Sequence, residues 1–204
     1  MKQLLFVSVL AMLFFSCSKQ ETQTPASNSS GYAISNYSKL TVGNYWIYQI
    51  YNVDTLGNAT PAGTDSCYIK NDSIVNRNTY AVVYNYPLQT GISLLRDSAD
   101  FLIDQHGNIR FAYGYFNTVL YSNDTISYTY SISYNVPSSQ ATVVVPLGTF
   151  ACYDYKGTYT YITTGKVRYA HNYYAFNIGL VELVTFYLDS PGTLQYRLAR
   201  SHVR

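Results

Sequence analysis

The chain has 204 residues and carries 13 Lys+Arg against 11 Asp+Glu, a net charge of +2. That near neutrality excludes nucleic acid as a partner, because binding it needs a basic footprint. The length suits one domain with a sizeable core, and 24 tyrosines beside only two glutamates favour strands over helices.

In chain order, Met1 and Lys2 supply a positive start and Leu4 to Phe15 an apolar run broken only by Ser8. The run is too short to cross a bilayer as a helix. It has the pattern of a secretory signal peptide covering residues 1–16. Phe14-Phe15-Ser16 before Cys17 resembles a bacterial lipobox, in the loose form typical of Bacteroidota lipoproteins, although the two phenylalanines depart from the usual Leu-small-small pattern. This makes Cys17 the expected lipidation site. The alternative is a leader cut elsewhere, leaving Cys17 an ordinary thiol. Each buried methylene is worth about 0.8 kcal/mol, so two or three acyl chains would anchor the protein permanently. Residues 18–31 lack any large apolar side chain and cannot pack, so residues 17–36 are read as a flexible tether and 37–204 as an all-β domain. The expected location is the outer membrane, through the lipid anchor. Ser18-Lys19-Gln20-Glu21 resembles the short Lys-plus-acid signal for the cell surface, and both the periplasmic and the surface face stay open.

Period-two patterning bounded by turn residues then predicts strands over Gly43 to Val53, Asp65 to Lys70, Thr79 to Tyr86, Ile92 to Arg96 and Phe101 to Asp104. Further strands are predicted over Ala141 to Val145, Thr149 to Lys156, Gly157 to Thr163, Val167 to Tyr174, Leu180 to Leu188 and Leu194 to Val203. No window keeps helical periodicity for three turns. About a dozen short-linked strands imply a single-domain antiparallel meander.

The clearest stretch is IRFAYGYFNTVLYSNDTISYTYSISYNV, residues 109–136, in which Ile126, Tyr128, Tyr130, Ile132, Tyr134 and Val136 alternate with polar residues. A two-residue turn at Asn123-Asp124 would pair Tyr121 with Ile126, Val119 with Tyr128, Tyr115 with Ile132 and Tyr113 with Tyr134, all on one face. Strands of about 40 Å would have to coil with the sheet twist, favouring a strongly curved sheet or half-barrel. Tyr113, Tyr115, Tyr128, Tyr130 and Tyr134 are the candidate ligand-facing aromatics of its concave side.

GNYWIY (43–48), VVVPLGTFACYDY (143–155) and YYAFNIGLVEL (173–183) resemble, in order and spacing, segments of the uncharacterised β-rich outer-membrane lipoproteins of Bacteroidota. The resemblance implies a β-rich envelope protein and transfers no catalytic residue. The arrangement is also similar, at the level of fold alone, to curved-sheet envelope carriers of acylated or apolar cargo.

Chemistry is sparsely marked. No phosphate-binding glycine loop, serine elbow, paired-His helix or Cys-x-x-Cys occurs, so neither catalytic residues nor a cofactor or metal is expected. Asp104, His106 and Asn108 surround Gly107 and suit a hairpin turn better than a metal cluster. His171 lies among tyrosines and suits a hydrogen-bonded or exposed role better than a pocket. Cys67 and Cys152 are candidates for a disulfide in an exported compartment, with two buried free thiols as the alternative. Asp54-Thr55-Leu56, Asp72-Ser73-Ile74, Asp97-Ser98-Ala99 and Asp124-Thr125-Ile126 resemble the Asp-Ser/Thr-aliphatic acceptor of O-glycosylation in exported Bacteroidota proteins. That resemblance makes Thr55, Ser73, Ser98 and Thr125 possible acceptors, against a reading of ordinary turns. The expected function is a non-catalytic binding module for an apolar or lipid ligand. The alternatives are a surface scaffold or glycan-binding protein and, third, a hydrolase. The sequence leaves the oligomeric state open.

Overall fold

A computed structural model describes residues 33–87, 91–126 and 129–204, with the backbone alone at 125 and 126. The leader, Cys17, most of the tether and Tyr128 lie outside the described residues. Fourteen strands and one short helix, α1 (Ser35–Ser38), make up the domain. The first half holds β1 (Tyr45–Val53), β2 (Ala59–Val75), β3 (Asn78–Tyr84), β4 (Ile92–Ser98), β5 (Phe101–Asp104), β6 (Ile109–Ala112) and β7 (Val119–Ile126). The second holds β8 (Tyr130–Asn135), β9 (Ala141–Val145), β10 (Gly148–Asp154), β11 (Lys156–Tyr161), β12 (Val167–Ala175), β13 (Gly179–Phe186) and β14 (Thr193–His202).

Twelve strands form one antiparallel sheet in the order β6-β5-β4-β3-β2-β1-β14-β13-β12-β11-β8-β7, curled into a nearly closed barrel. β9 and β10 form a hairpin off this path, joined to β12 through Cys152↔Ala175 to Asp154↔Tyr173. The expected curved all-β meander is therefore the observed fold, and its curl goes further than a half-barrel.

Two turns share one local code. Asp54-Thr55-Leu56-Gly57-Asn58 links β1 to β2, and Asp104-Gln105-His106-Gly107-Asn108 links β5 to β6. In each, the aspartate Oδ1 accepts the backbone N–H groups two and four residues on, at 2.8 and 2.9 Å for Asp54 and 2.9 and 2.9 Å for Asp104. The asparagine side chain donates to the other carboxylate oxygen, and the glycine takes a positive φ of 86° or 82°, which L side chains disfavour. The Asp104 group is thus a turn. Because the first of these turns is tight, β2 starts at Ala59 and runs 17 residues, well beyond the predicted Asp65 to Lys70.

The 109–136 hairpin differs from its predicted register. Tyr121 pairs with Tyr134, Ser122 with Ser133 and Ile126 with Tyr130, so the reversal falls after Ile126 and Asn123-Asp124 lie inside β7. The partner of Tyr121 moves from Ile126 to Tyr134, an even number of residues, which keeps both on their predicted face, whereas a slip between Val119 and Tyr121 sets Val119 opposite Asn135 and leaves it exposed. Nor is the first arm one long strand: Gly114 and Asn117 take positive φ values of 89° and 59° and divide it into β6 and β7. Tyr113 and Tyr115 sit in that break.

The core is unusually aromatic. Phe111 stacks on Tyr174 with centroids 4.3 Å apart, and Tyr37 of α1 stacks on Tyr113 at 5.1 Å. Ile34 and Tyr37 are each 3% exposed, so packing takes in Ile34, ahead of the boundary drawn at residue 37. Polar tips of core rings reach backbone carbonyls: Trp46 Nε1 donates to Ile178 O at 2.7 Å and the Tyr48 hydroxyl to Leu180 O at 2.8 Å. Gly179 (φ +96°) lies beneath the Trp46 ring, where an added Cβ would meet the indole at 3.4 Å. Arg168 donates to the carbonyls of Tyr187, Ser190, Pro191 and Gly192 and pins the β13–β14 connection.

Cys67 and Cys152 are buried free thiols, which corrects the disulfide option. Each is packed into a separate β pairing, Cys67 opposite Trp46 and Cys152 opposite Ala175 and Ala141. Burial pushes both thiols up to about 12, so neither forms a reactive thiolate at neutral pH. Alkylation followed by peptide mapping should leave both unlabelled in the native protein and label both after unfolding without reductant. Absence of label on the pair in the unfolded, unreduced chain would establish a bridge.

Candidate functional site

The barrel interior holds a cavity of about 400 Å³, within the size range of small-molecule sites. Among the described residues six tyrosines line it, namely Tyr86, Tyr121, Tyr134, Tyr155, Tyr159 and Tyr174, with Ile109, Ile132, Leu183 and Pro87 as the rest of the apolar wall. Asn108, Asn172 and Arg110 are its other polar members.

The tyrosines are held in place by one another and by the backbone. Tyr86 and Tyr174 share a hydrogen bond of 2.6 Å, as do Tyr134 and Tyr159. The Tyr155 hydroxyl donates to Ile109 O at 2.7 Å, and its ring stacks on Tyr134 at 4.8 Å. Asn172 fixes the Tyr155 backbone, accepting from its N–H at 2.8 Å and donating to its carbonyl at 3.0 Å. Burial raises the phenol pKa of Tyr86, Tyr134, Tyr155, Tyr159 and Tyr174, so these side chains remain neutral hydroxyls. The wall they form offers flat apolar rings with polar tips, a surface suited to amphipathic ligands.

Arg110 reaches the cavity because of a β-bulge. On β5, Leu102 pairs with Phe111 and Ile103 with Ile109, leaving Arg110 as the extra residue of β6. Bulges re-aim side chains in this way. Its guanidinium donates to Asp104 Oδ2 at 2.8 Å. Burial alone would raise the Asp104 carboxyl, but bonds from Asn108, the charge of Arg110 and the His106 N–H hold it below the ordinary value, so the pair stays ionised.

Of the five predicted ligand-facing aromatics, Tyr134 lines the cavity. Tyr113 belongs to the Tyr37 cluster, because the strand break carries it away from the concave wall. Tyr115 is buried against Phe101 at 4.6 Å, with its hydroxyl 3.4 Å from Asp100 Oδ2, for the same reason. Tyr130 packs edge-on against Tyr161 at 5.0 Å, further along β8 than the cavity. Sequence reasoning missed Tyr86, Tyr155, Tyr159, Tyr174 and Arg110. Tyr155 and Tyr174 stand inside the quoted family segments, whereas Arg110 had no local signal.

Two further ion pairs lie among the described residues. His171 Nδ1 lies 2.7 Å from Asp154 Oδ2 and its ring stacks on Tyr173 at 5.5 Å; Glu182 lies 3.3 Å from Arg197. Among the Asp-Ser/Thr triplets, Thr55 is exposed in the β1–β2 turn and Ser98 ends β4. Ser73 and Thr125 lie within β2 and β7 rather than between strands, and the Thr125 side chain is outside the described residues.

No protein-family model matches the chain, and no curated protein matches it. Two solved structures are similar. One is a candidate exported protein with a YmcC-like fold from Bacteroides fragilis NCTC 9343, 15% identical, covering 79% of this chain and 96% of its own, with a TM-score of 0.46. The other is a candidate lipoprotein from Parabacteroides distasonis ATCC 8503, 13% identical, covering 81% of this chain and 97% of its own, with a TM-score of 0.40.

Behind the wall, Gly157 of β11 lies opposite Tyr134 of β8. A Cβ there would lie 2.6 Å from Tyr134 Cζ. Gly157→Ala should therefore displace the Tyr134 ring from its stack and its hydroxyl pair, lowering stability by about 1–3 kcal/mol. Urea unfolding measures this; an unchanged midpoint would show that the wall yields freely.

Proposed function

We propose that this protein is a lipid-anchored protein of the cell envelope, held to the outer membrane through Cys17, and that it binds an apolar or lipid ligand without transforming it. The observation that carries the ligand half is the cavity of about 400 Å³ walled by six tyrosines. Large rings with few, fixed polar tips favour an amphiphile over a fully polar solute. The non-catalytic reading draws on the pairing of Asp104 with Arg110, Asp154 with His171 and Glu182 with Arg197, which leaves these groups engaged with one another instead of converging on a reacting atom. The anchor half rests on the leader and on the residues around Cys17. The glycan-binding alternative would use the same ring faces, with Asn108 and Asn172 as polar partners.

Mass spectrometry of protein purified from its native membrane tests both halves. The denatured chain should begin at an acylated Cys17, and Cys17→Ala should lack the acyl mass. Under native spray the protein should carry a non-covalent amphiphile that organic extraction removes. A chain without acyl mass would refute the anchor, and a bound sugar in place of an amphiphile would favour the alternative.

A further inference from the structure

We infer that the cavity takes an amphiphile whose acidic headgroup, a carboxylate or a phosphate, rests on Arg110. This builds on the reading of the cavity as a ligand site and names the chemistry at one end of it.

Arg110 is the one charged side chain among the residues lining the cavity. Its counter-ion, Asp104, stands behind it with a side chain only 5% exposed, against 35% for Arg110. The Asp104 carboxylate is already committed, taking the N–H groups of His106 and Asn108 on Oδ1 and the Asn108 amide and Arg110 on Oδ2. It is therefore an orienting group, locked by its turn, that grips Nη2 of a guanidinium whose side chain stays 35% exposed along the cavity wall. The bulge that turns Arg110 inward is a second, backbone-level observation pointing to the same place.

A planar guanidinium fork matches carboxylate and phosphate oxygens better than any neutral acceptor. Among the described residues no carboxylate lines the cavity to repel an anion. Five of the neighbouring phenols are held neutral by burial, so they add hydroxyl dipoles and no negative charge. Ile109, Ile132, Leu183 and the ring faces remain for an apolar body. A free hydrophilic anion would leave that wall unused, and an uncharged lipid would make no use of the guanidinium that faces it.

Binding of dodecanoate, dodecyl phosphate and dodecanol to the purified protein, followed by tyrosine fluorescence below micellar concentrations, tests the inference. At least one acid should bind about tenfold more tightly than the alcohol, as a charge-assisted bond in a partly dry site would give, and the better acid identifies the headgroup. Arg110→Gln should abolish the preference while dodecanol binding persists, and Arg110→Lys should retain a preference for the acid. Equal affinity of acids and alcohol for the unaltered protein would overturn the headgroup assignment and leave the cavity reading standing, a comparison that needs no variant to fold. Preference surviving in Arg110→Gln would also overturn it. Failure of all three amphiphiles to bind would remove the cavity reading and the headgroup with it.

Discussion

The barrel ends in two strand edges, β6 and β7, that no backbone ladder joins among the described residues, and the rest of the architecture depends on how the carbonyls along that open edge are satisfied. A buried carbonyl without a donor is costly. Here the donors are phenols that reach across the interior: the Tyr155 hydroxyl bonds Ile109 O at 2.7 Å, and the Tyr174 hydroxyl approaches Arg110 O at 3.4 Å. The shorter contact is the stronger tie, since 3.4 Å lies beyond the usual range. Tyr155 belongs to the β10–β11 junction, so it fastens an edge strand of one half of the sheet to the wall of the other.

This use of tyrosine accounts for phenols in the barrel interior. A side chain that must pack in a core and still present a donor at the far side of a barrel needs a long rigid apolar body with a hydroxyl at its tip. The same tie leaves space on its flank. With rings fixed at both ends, by Ile109 O and by the Tyr134–Tyr159 pair, the interior cannot collapse around them. The resulting cavity is bounded by groups whose positions are set by closure of the barrel. Arg110 occupies the same four-residue edge strand whose carbonyls receive the ties, so closure and the charged end of the cavity share one structural element.

Fold class, the presence of most strands and the inward face of β8 were legible because period-two alternation depends only on local sequence. Ile132 and Tyr134 face inward as the alternation requires. Register was not legible, because Asn123-Asp124 offered a turn that tertiary packing declined: Tyr134 seats over Gly157, a contact between strands that no local pattern encodes. Of the named ligand-facing aromatics only Tyr134 lines the site, beside Tyr121 and Ile132 of the same predicted face. Tyr86, Tyr155 with Tyr159, and Tyr174 come from three separate segments, and the bulge that turns Arg110 inward follows from a β5–β6 pairing rather than from any motif.

The account stands or falls on the phenol ties, and amide hydrogen exchange in Tyr155→Phe measures them most directly. The substitution keeps the ring and its stack on Tyr134 but leaves Ile109 O without its donor. Loss of about 1–3 kcal/mol of protection is expected in the amides of β5 and β6, such as Leu102 and Phe111, with β1, β13 and β14 little changed. Protection in β5 and β6 equal to that of the unaltered protein would contradict the claim that a tyrosine hydroxyl holds the barrel edge.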